Sequence, residues 1–171
     1  MVLINSQKSL INLEDELEML RIYLEMERLR FKNAFNYSIT FLNAINSDTI
    51  YIPPLLLQPF CENAIWHGLM NKDGLGKLDI ELGMENNTLY CIITDNGIGR
   101  EKAEEMKSKS AEKEKSMGLK ITADRLSLLN AEKGIDTSYT IEDLKDEQGE
   151  AAGTRVNLKI SIMESTDAII K

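Results

Sequence analysis

Asp95-Asn96-Gly97-Ile98-Gly99-Arg100 follows directly on the apolar run Leu89-Tyr90-Cys91-Ile92-Ile93. A short apolar run bounded by turn residues reads as a buried strand, so Asp95 stands at a strand end, at the mouth of a cleft. Glycines at alternate positions let the backbone turn tightly and come close to a ligand. A carboxylate placed there can accept a hydrogen bond from an amino group such as the exocyclic amine of adenine, a polar contact that fixes ligand orientation. The same residues also build an ordinary Asx-type turn. The stretch alone does not separate the two.

Three further stretches carry chemistry of a compatible kind. In Glu62-Asn63-Ala64-Ile65-Trp66-His67-Gly68, Asn63 and His67 are four apart and share one helix face. An Asn oxygen facing a cleft is a hard neutral ligand that suits magnesium, an ion bound through few protein groups plus substrate phosphates. His67 is the only histidine, which excludes a multi-histidine metal site and leaves it to touch a phosphate or orient a neighbour. Small Ala64 and Gly68 allow another element to approach. Ser116-Met117-Gly118-Leu119-Lys120 opens a later helix, where free backbone N–H groups bind phosphate and Gly118 allows close contact. Gly153-Thr154-Arg155-Val156 opens the last strand, and the Thr154 hydroxyl can bond to the cleft side of Asp95 or to a water there. Singly, each also fits a satisfied pair or a plain turn.

The elements that must position these residues follow from periodicity. Leu13, Leu17, Leu20, Leu24 and Phe31 have helical spacing; Asn12 is placed to cap that helix, and Glu14, Asp15 and Glu16 suit its positive end. Residues 35–41 alternate as a half-buried strand, and Ile50-Tyr51-Ile52 is a short extended piece closed by Pro53-Pro54. Pro54 is placed to open a second helix over residues 54–69, since a first-turn proline loses no intrahelical bond. Residues 77–84 and 88–94 form a hairpin about Asn86-Asn87, hence an antiparallel pair. A helical turn or two follows Arg100. Residues 107–115 are dense in Lys and Glu with few apolar anchors, which fits a solvated loop or a mobile lid. Residues 117–130 return to helical spacing with Ser116 as cap. Residues 137–143 form a strand with Tyr139 and Ile141 inward, residues 146–153 a polar turn, and Val156, Leu158, Ile160 and Ile162 the inner face of the last strand. The expected fold is an α/β (α+β) two-layer sandwich, a mainly antiparallel or mixed sheet with helices on one face.

Length and composition bound the function. The 171 residues suffice for one well-buried core. A net charge of −8 argues against non-specific nucleic-acid or anionic-membrane binding. Cys61 and Cys91 lie in apolar surroundings and read as buried thiols of a reducing compartment. No apolar run reaches the length of a membrane span and no signal peptide is evident, so the chain reads as a cytoplasmic domain. It enters a helical pattern almost at once, as a piece of a longer protein would.

Order and spacing are what is specific: Glu-Asn-Ala-x-x-His-Gly, then Asp-Asn-Gly-x-Gly, then Gly-Leu-x-x-x-x-x-Arg-Leu, then Gly-Thr. This resembles the nucleotide-binding boxes of the GHKL ATPases, the group of gyrase, the histidine kinases and MutL. Leu13-Glu14-Asp15-Glu16-Leu17, Tyr23-Leu24-Glu25-Met26-Glu27-Arg28-Leu29-Arg30-Phe31 and Ile52-Pro53-Pro54-Leu55-Leu56-Leu57-Gln58-Pro59 narrow the resemblance to LytS-type sensor histidine kinases, over about residues 13–162.

The resemblance implies a Bergerat fold binding ATP with Mg2+. By similarity, Asp95 accepts from the adenine amine, Gly97 and Gly99 shape the adenine pocket, Asn63 holds the magnesium, His67 lines the phosphate side, Gly118 and Leu119 form the second glycine turn, Thr154 supports the adenine end, and residues 107–115 are the lid. It divides the chain into the end of a dimerisation and connecting region (1–33), the ATP-binding domain (34–163) and a loose tail (164–171). It also implies partners: a phosphoacceptor hairpin upstream, in cis or in trans within a homodimer, and a response regulator, with no nucleic acid and with membrane anchoring of the full-length protein. Pro59 stands where many relatives have Asn or Glu, so the general base of the water-activating ATPases is absent, as suits a kinase. Ser116 replaces a usual glycine. Two other functions share the fold: an anti-sigma-like module that holds a protein partner, and a scaffold with a degenerate nucleotide site.

Overall fold

A computed structural model describes residues 10–107, 118–133 and 135–162. The main sheet has five strands in the order β2-β4-β5-β7-β6: β2 (Phe35–Phe41), β4 (Gly76–Glu85), β5 (Thr88–Asp95), β7 (Ala151–Ser161) and β6 (Thr137–Lys145). β2 runs parallel to β4 and the remaining neighbours pair antiparallel, which makes the sheet mixed. A two-stranded ribbon, β1 (Ile11–Asn12) with β3 (Tyr51–Ile52), lies apart from it. Asn86 and Asn87 both take left-handed conformations, φ 48° and 60°, the backbone that a two-residue hairpin between β4 and β5 requires.

The helices are α1 (Leu13–Arg30), α2 (Gln58–Asn63, continuing as a π-helical turn over Ala64–Leu69), α3 (Arg100–Lys107) and α4 (Gly118–Lys133). The Asn12 side chain caps α1 by accepting from the Asp15 N–H at 2.8 Å. Leu13, Leu17, Leu20 and Leu24 of α1 join one apolar cluster with Phe60, Ile65 and Leu69 of α2 and with Leu78, Ile80, Leu82, Leu89, Cys91, Ile93, Val156, Leu158 and Ile160 of the sheet. Strict alternation along β5, and from Val156 to Ser161 of β7, puts these residues under the helices. Cys61 and Cys91 are unbridged and buried, and burial pushes both thiols up, Cys91 to about 12.

Two expectations about helices are corrected. α2 begins at Gln58, not at residue 54; residues 54–57 form a turn in which Leu55 is left-handed at φ 55°. The first-turn proline is Pro59, and Pro54 sits outside the helix. Glu14, Asp15 and Glu16 do lie in the first turn of α1, and Glu16 is in addition 2% exposed and reaches the turn at 54–57. β7 also begins earlier than expected, so Gly153 and Thr154 lie inside the strand. Of the expected lid, residues 107–115, Lys107 ends α3; the rest, the flanking Ser116 and the tail 164–171 lie outside the described residues. No described helix is long and apolar enough to cross a membrane.

Candidate functional site

Asp95 is the last residue of β5 and stands in register with Leu78 of β4 on one side and Thr154 of β7 on the other. Thr154 pairs in turn with Asp143 of β6. Laterally paired residues project to the same side of a sheet, so Leu78, Asp95, Thr154 and Asp143 form one rung facing the helical layer. The Thr154 hydroxyl donates to Asp95 Oδ2 in a short hydrogen bond, and the Gly97 N–H donates to Oδ1 at 2.9 Å. Asp95 is 2% exposed. Burial raises its pKa above the ordinary aspartate value, and the bonds from Thr154 and Gly97 pull only part of the way back.

The helical layer reaches this carboxylate through two glycines. A Cβ on Gly68 would lie 2.7 Å from Asp95 Oδ1, and a Cβ on Gly97 would collide with the Gly68 backbone. Only hydrogen at both positions lets α2 lie directly on the end of β5. The Ile98 N–H bonds to the Gly68 carbonyl at 3.3 Å and fixes that contact. Gly99 is left-handed at φ 85° and turns the chain into α3.

Asn63 and His67 line the same pocket as Asp95, together with Ala64, Gly68, Gly99, Arg100, Ala103 and Thr154. His67 lies in the segment where α2 widens, and Asn63 directly precedes it: the Met70 N–H bonds to the Ile65 carbonyl, five residues back, at 2.9 Å. Such widened turns occur frequently at functional sites. The pocket has about 20 Å³ of free space, room for one water and not for a purine base. Beside it, between α3 and the β6–β7 turn, lies an open groove of about 630 Å³ that shares Gly99 and Arg100. Arg100 is held by Asp143 through two bonds of 2.7 and 2.6 Å, which tie the start of α3 to β6. The Arg100 guanidinium in turn holds Asp143 below the ordinary carboxylate value. Gly118 opens α4, with Leu119 next, and α4 packs on α2.

No family model matches the chain. It is 30% identical over 153 residues to the uncharacterized protein YwpD of Bacillus subtilis (strain 168), covering 88% of this chain and 50% of that one. It is 38% identical over 96 residues to the sensor protein LytS of Oceanobacillus iheyensis, covering 56% of this chain and 16% of LytS. Its fold matches the nucleotide-free catalytic domain of the histidine kinase ThkA with a TM-score of 0.60 at 15% identity, over 92% of this chain and 98% of that domain. The chain spans at most half the length of these curated relatives, LytS sensor proteins among them, and its fold is that of histidine-kinase catalytic domains. The ThkA structure in complex with the response regulator protein TrrA matches with a TM-score of 0.54 at 13% identity, over 91% of this chain and 42% of that one.

The residues singled out from the sequence converge unevenly. Asn63, His67, Asp95, Gly99 and Thr154 share one pocket, and Gly97 packs directly behind it against Gly68. Arg100 and Ala103 complete the wall, and sequence reasoning gave them no role. Arg100 was inside the glycine stretch, but its partner Asp143 lies 43 residues away and no local pattern announces it. As to a metal, no cluster of three or more His, Cys, Asp or Glu among the described residues is arranged to hold one. A neutral Asn63 oxygen as the main protein ligand fits an ion that arrives with a nucleotide's phosphates.

Proposed function

We propose that this chain is the ATP-binding portion of a two-component sensor histidine kinase, delivering the γ-phosphate of ATP to a histidine on another segment. One observation carries the proposal: a buried carboxylate, Asp95, held by Thr154 and Gly97 at the floor of a pocket whose other wall carries Asn63 and His67. Asp95 accepts from the adenine amine, with Thr154 supporting it. Gly97 and Gly99 shape the adenine pocket. Asn63 holds Mg2+, which neutralises phosphate charge when bound. His67 lines the phosphate side, and Gly118 and Leu119 present the start of α4 to the phosphates. Because the pocket has room only for a water, the α3 wall at Arg100 and Ala103 must move outward for the base to enter. Residues 1–33 are the end of a dimerisation region with its connecting helix, residues 34–163 the nucleotide-binding part, and residues 107–115 the lid.

Phosphoryl transfer is mainly positioning and electrostatic stabilisation. His67 sits on the helix beside Asn63, so it lines the phosphates and is badly aligned for in-line attack. Pro59, four residues before Asn63, leaves that position without the carboxylate general base of the water-activating ATPases. The acceptor therefore belongs to a hairpin in cis or in the partner of a homodimer. A response regulator takes the phosphate next, a role supported by the complex of ThkA with TrrA. The full-length protein is anchored in the cell membrane with this part in the cytoplasm. The test is incubation with γ-labelled ATP and magnesium. The chain alone should bind ATP and remain unlabelled, and an added phosphoacceptor hairpin should acquire acid-labile label. Label on the isolated chain that disappears in His67→Ala would make His67 the acceptor and overturn this assignment.

A further inference from the structure

The turn at residues 54–57 is clamped from two sides by side chains distant in sequence. Its three successive N–H groups, of Leu55, Leu56 and Leu57, all donate to the Glu16 carboxylate of α1, at 2.9, 2.8 and 3.2 Å. Its carbonyls at Leu55 and Pro54 accept from the Arg125 guanidinium of α4, at 3.0 and 2.5 Å. Leu55 is left-handed at φ 55°, a conformation that a branched side chain adopts only where its surroundings over-determine it. Leu57, the residue before α2, has no side-chain cap of its own, so the Glu16 carboxylate sits where the positive end of α2 needs one. No ion pair joins Glu16 to Arg125 among the described residues; what lies between them is the peptide groups of the turn.

We propose that Glu16 and Arg125 are positioning residues for the phosphate end of the nucleotide site. The turn they grip is the root of α2, which carries Asn63 and His67, and Arg125 stands on the helix that Gly118 opens. The clamp thereby sets α2 and α4 relative to each other and ties both to α1. Asp95 and Thr154 are fixed by the sheet rung and do not depend on it. The inference rests on the nucleotide assignment above and adds a division of labour that the assignment does not require.

The experiment titrates ATP with magnesium, and separately adenosine, into the full chain and into Glu16→Gln and Arg125→Gln, followed by amide chemical shifts. Adenosine keeps the base and lacks the phosphates. Both variants should lose roughly tenfold or more in ATP affinity, the scale of one lost buried hydrogen bond, while adenosine binds as in the wild type. Should Glu16→Gln fail to fold, the part-exposed Arg125→Gln carries the test. Equal losses for both ligands, or none for either in a folded variant, would overturn the clamp's role. A wild-type chain that binds neither ligand would instead overturn the nucleotide assignment, and the clamp's role with it.

Discussion

Asp95 and Asp143 stand on the same rung of the sheet, one on each side of Thr154, and their environments push them in opposite directions. Asp95 is buried, meets only uncharged donors, and is harder to ionise than a free aspartate. The Asp143 side chain is half exposed, meets the fork of Arg100, and is easier to ionise. Identical side chains two strands apart thus take different roles. A carboxylate already satisfied by a guanidinium serves as a strut, here for the start of α3. One that is buried with hydroxyl and amide partners keeps acceptor capacity, on which the proposed recognition of a ligand's amino group rests.

The strongest break of this contrast is steric. Gly97→Ala places a methyl group on the Gly68 backbone, which cannot rotate away. Overpacking of this kind costs about 1–3 kcal/mol or more. Thermal unfolding should show a fall of several degrees, on the order of 2–4 °C per kcal/mol for a chain of this size. Gly68→Ala is gentler on the fold, because its methyl meets the Asp95 carboxylate, a side chain that can turn. It should reduce nucleotide affinity on the order of tenfold, equivalent to about 1.4 kcal/mol, with a smaller change in melting temperature than Gly97→Ala.

Acid sharpens the comparison. Protonating Asp95 removes the acceptor for an amine, and its raised pKa means nucleotide affinity should begin to fall at a higher pH than an ordinary aspartate would dictate. In stability the signs differ. Asp95 folds more favourably when protonated, so its contribution is lost as pH rises from the unfolded value through the raised folded one. The Asp143 contribution is present above the unfolded value and lost as pH falls through its lowered folded value. Acid titration of wild type, Asp95→Asn and Asp143→Asn by circular dichroism should show slopes of opposite sign removed by the two substitutions. The smallest effect is that of Asp143→Asn at neutral pH. A surface pair contributes about 0.2–1 kcal/mol, reduced by salt. Chemical denaturation should show that small loss.

The same contrast explains what could be read from the chain. Asp95, its glycines and Thr154 were legible because strand ends, tight turns and alternating apolar residues leave local signatures. So were the Asn12 cap and the Asn86-Asn87 hairpin. The contacts that were missed join residues far apart. Glu16 looks like any first-turn acid of an amphipathic helix, and only the folded chain brings it to a turn about 40 residues on. Arg100 and Asp143 carry no pattern that links them. The start of α2 was misplaced because the rule favouring a first-turn proline applies equally to Pro54 and Pro59; the Glu16 grip on the intervening N–H groups decides between them. The widening of α2 after Asn63 has no marker in composition.

The central claim is that the Asp95 carboxylate reads a nucleotide base. Calorimetric titration of ATP with magnesium into the wild-type chain and into Asp95→Asn tests it most directly. The amide keeps the shape of the side chain but can turn a donor toward the adenine amine. A buried mismatch of this kind costs roughly 1–3 kcal/mol, about tenfold to over a hundredfold in affinity. That loss, in a variant that keeps its fold, is the predicted result; equal affinity in the two proteins would contradict the account and place the base elsewhere.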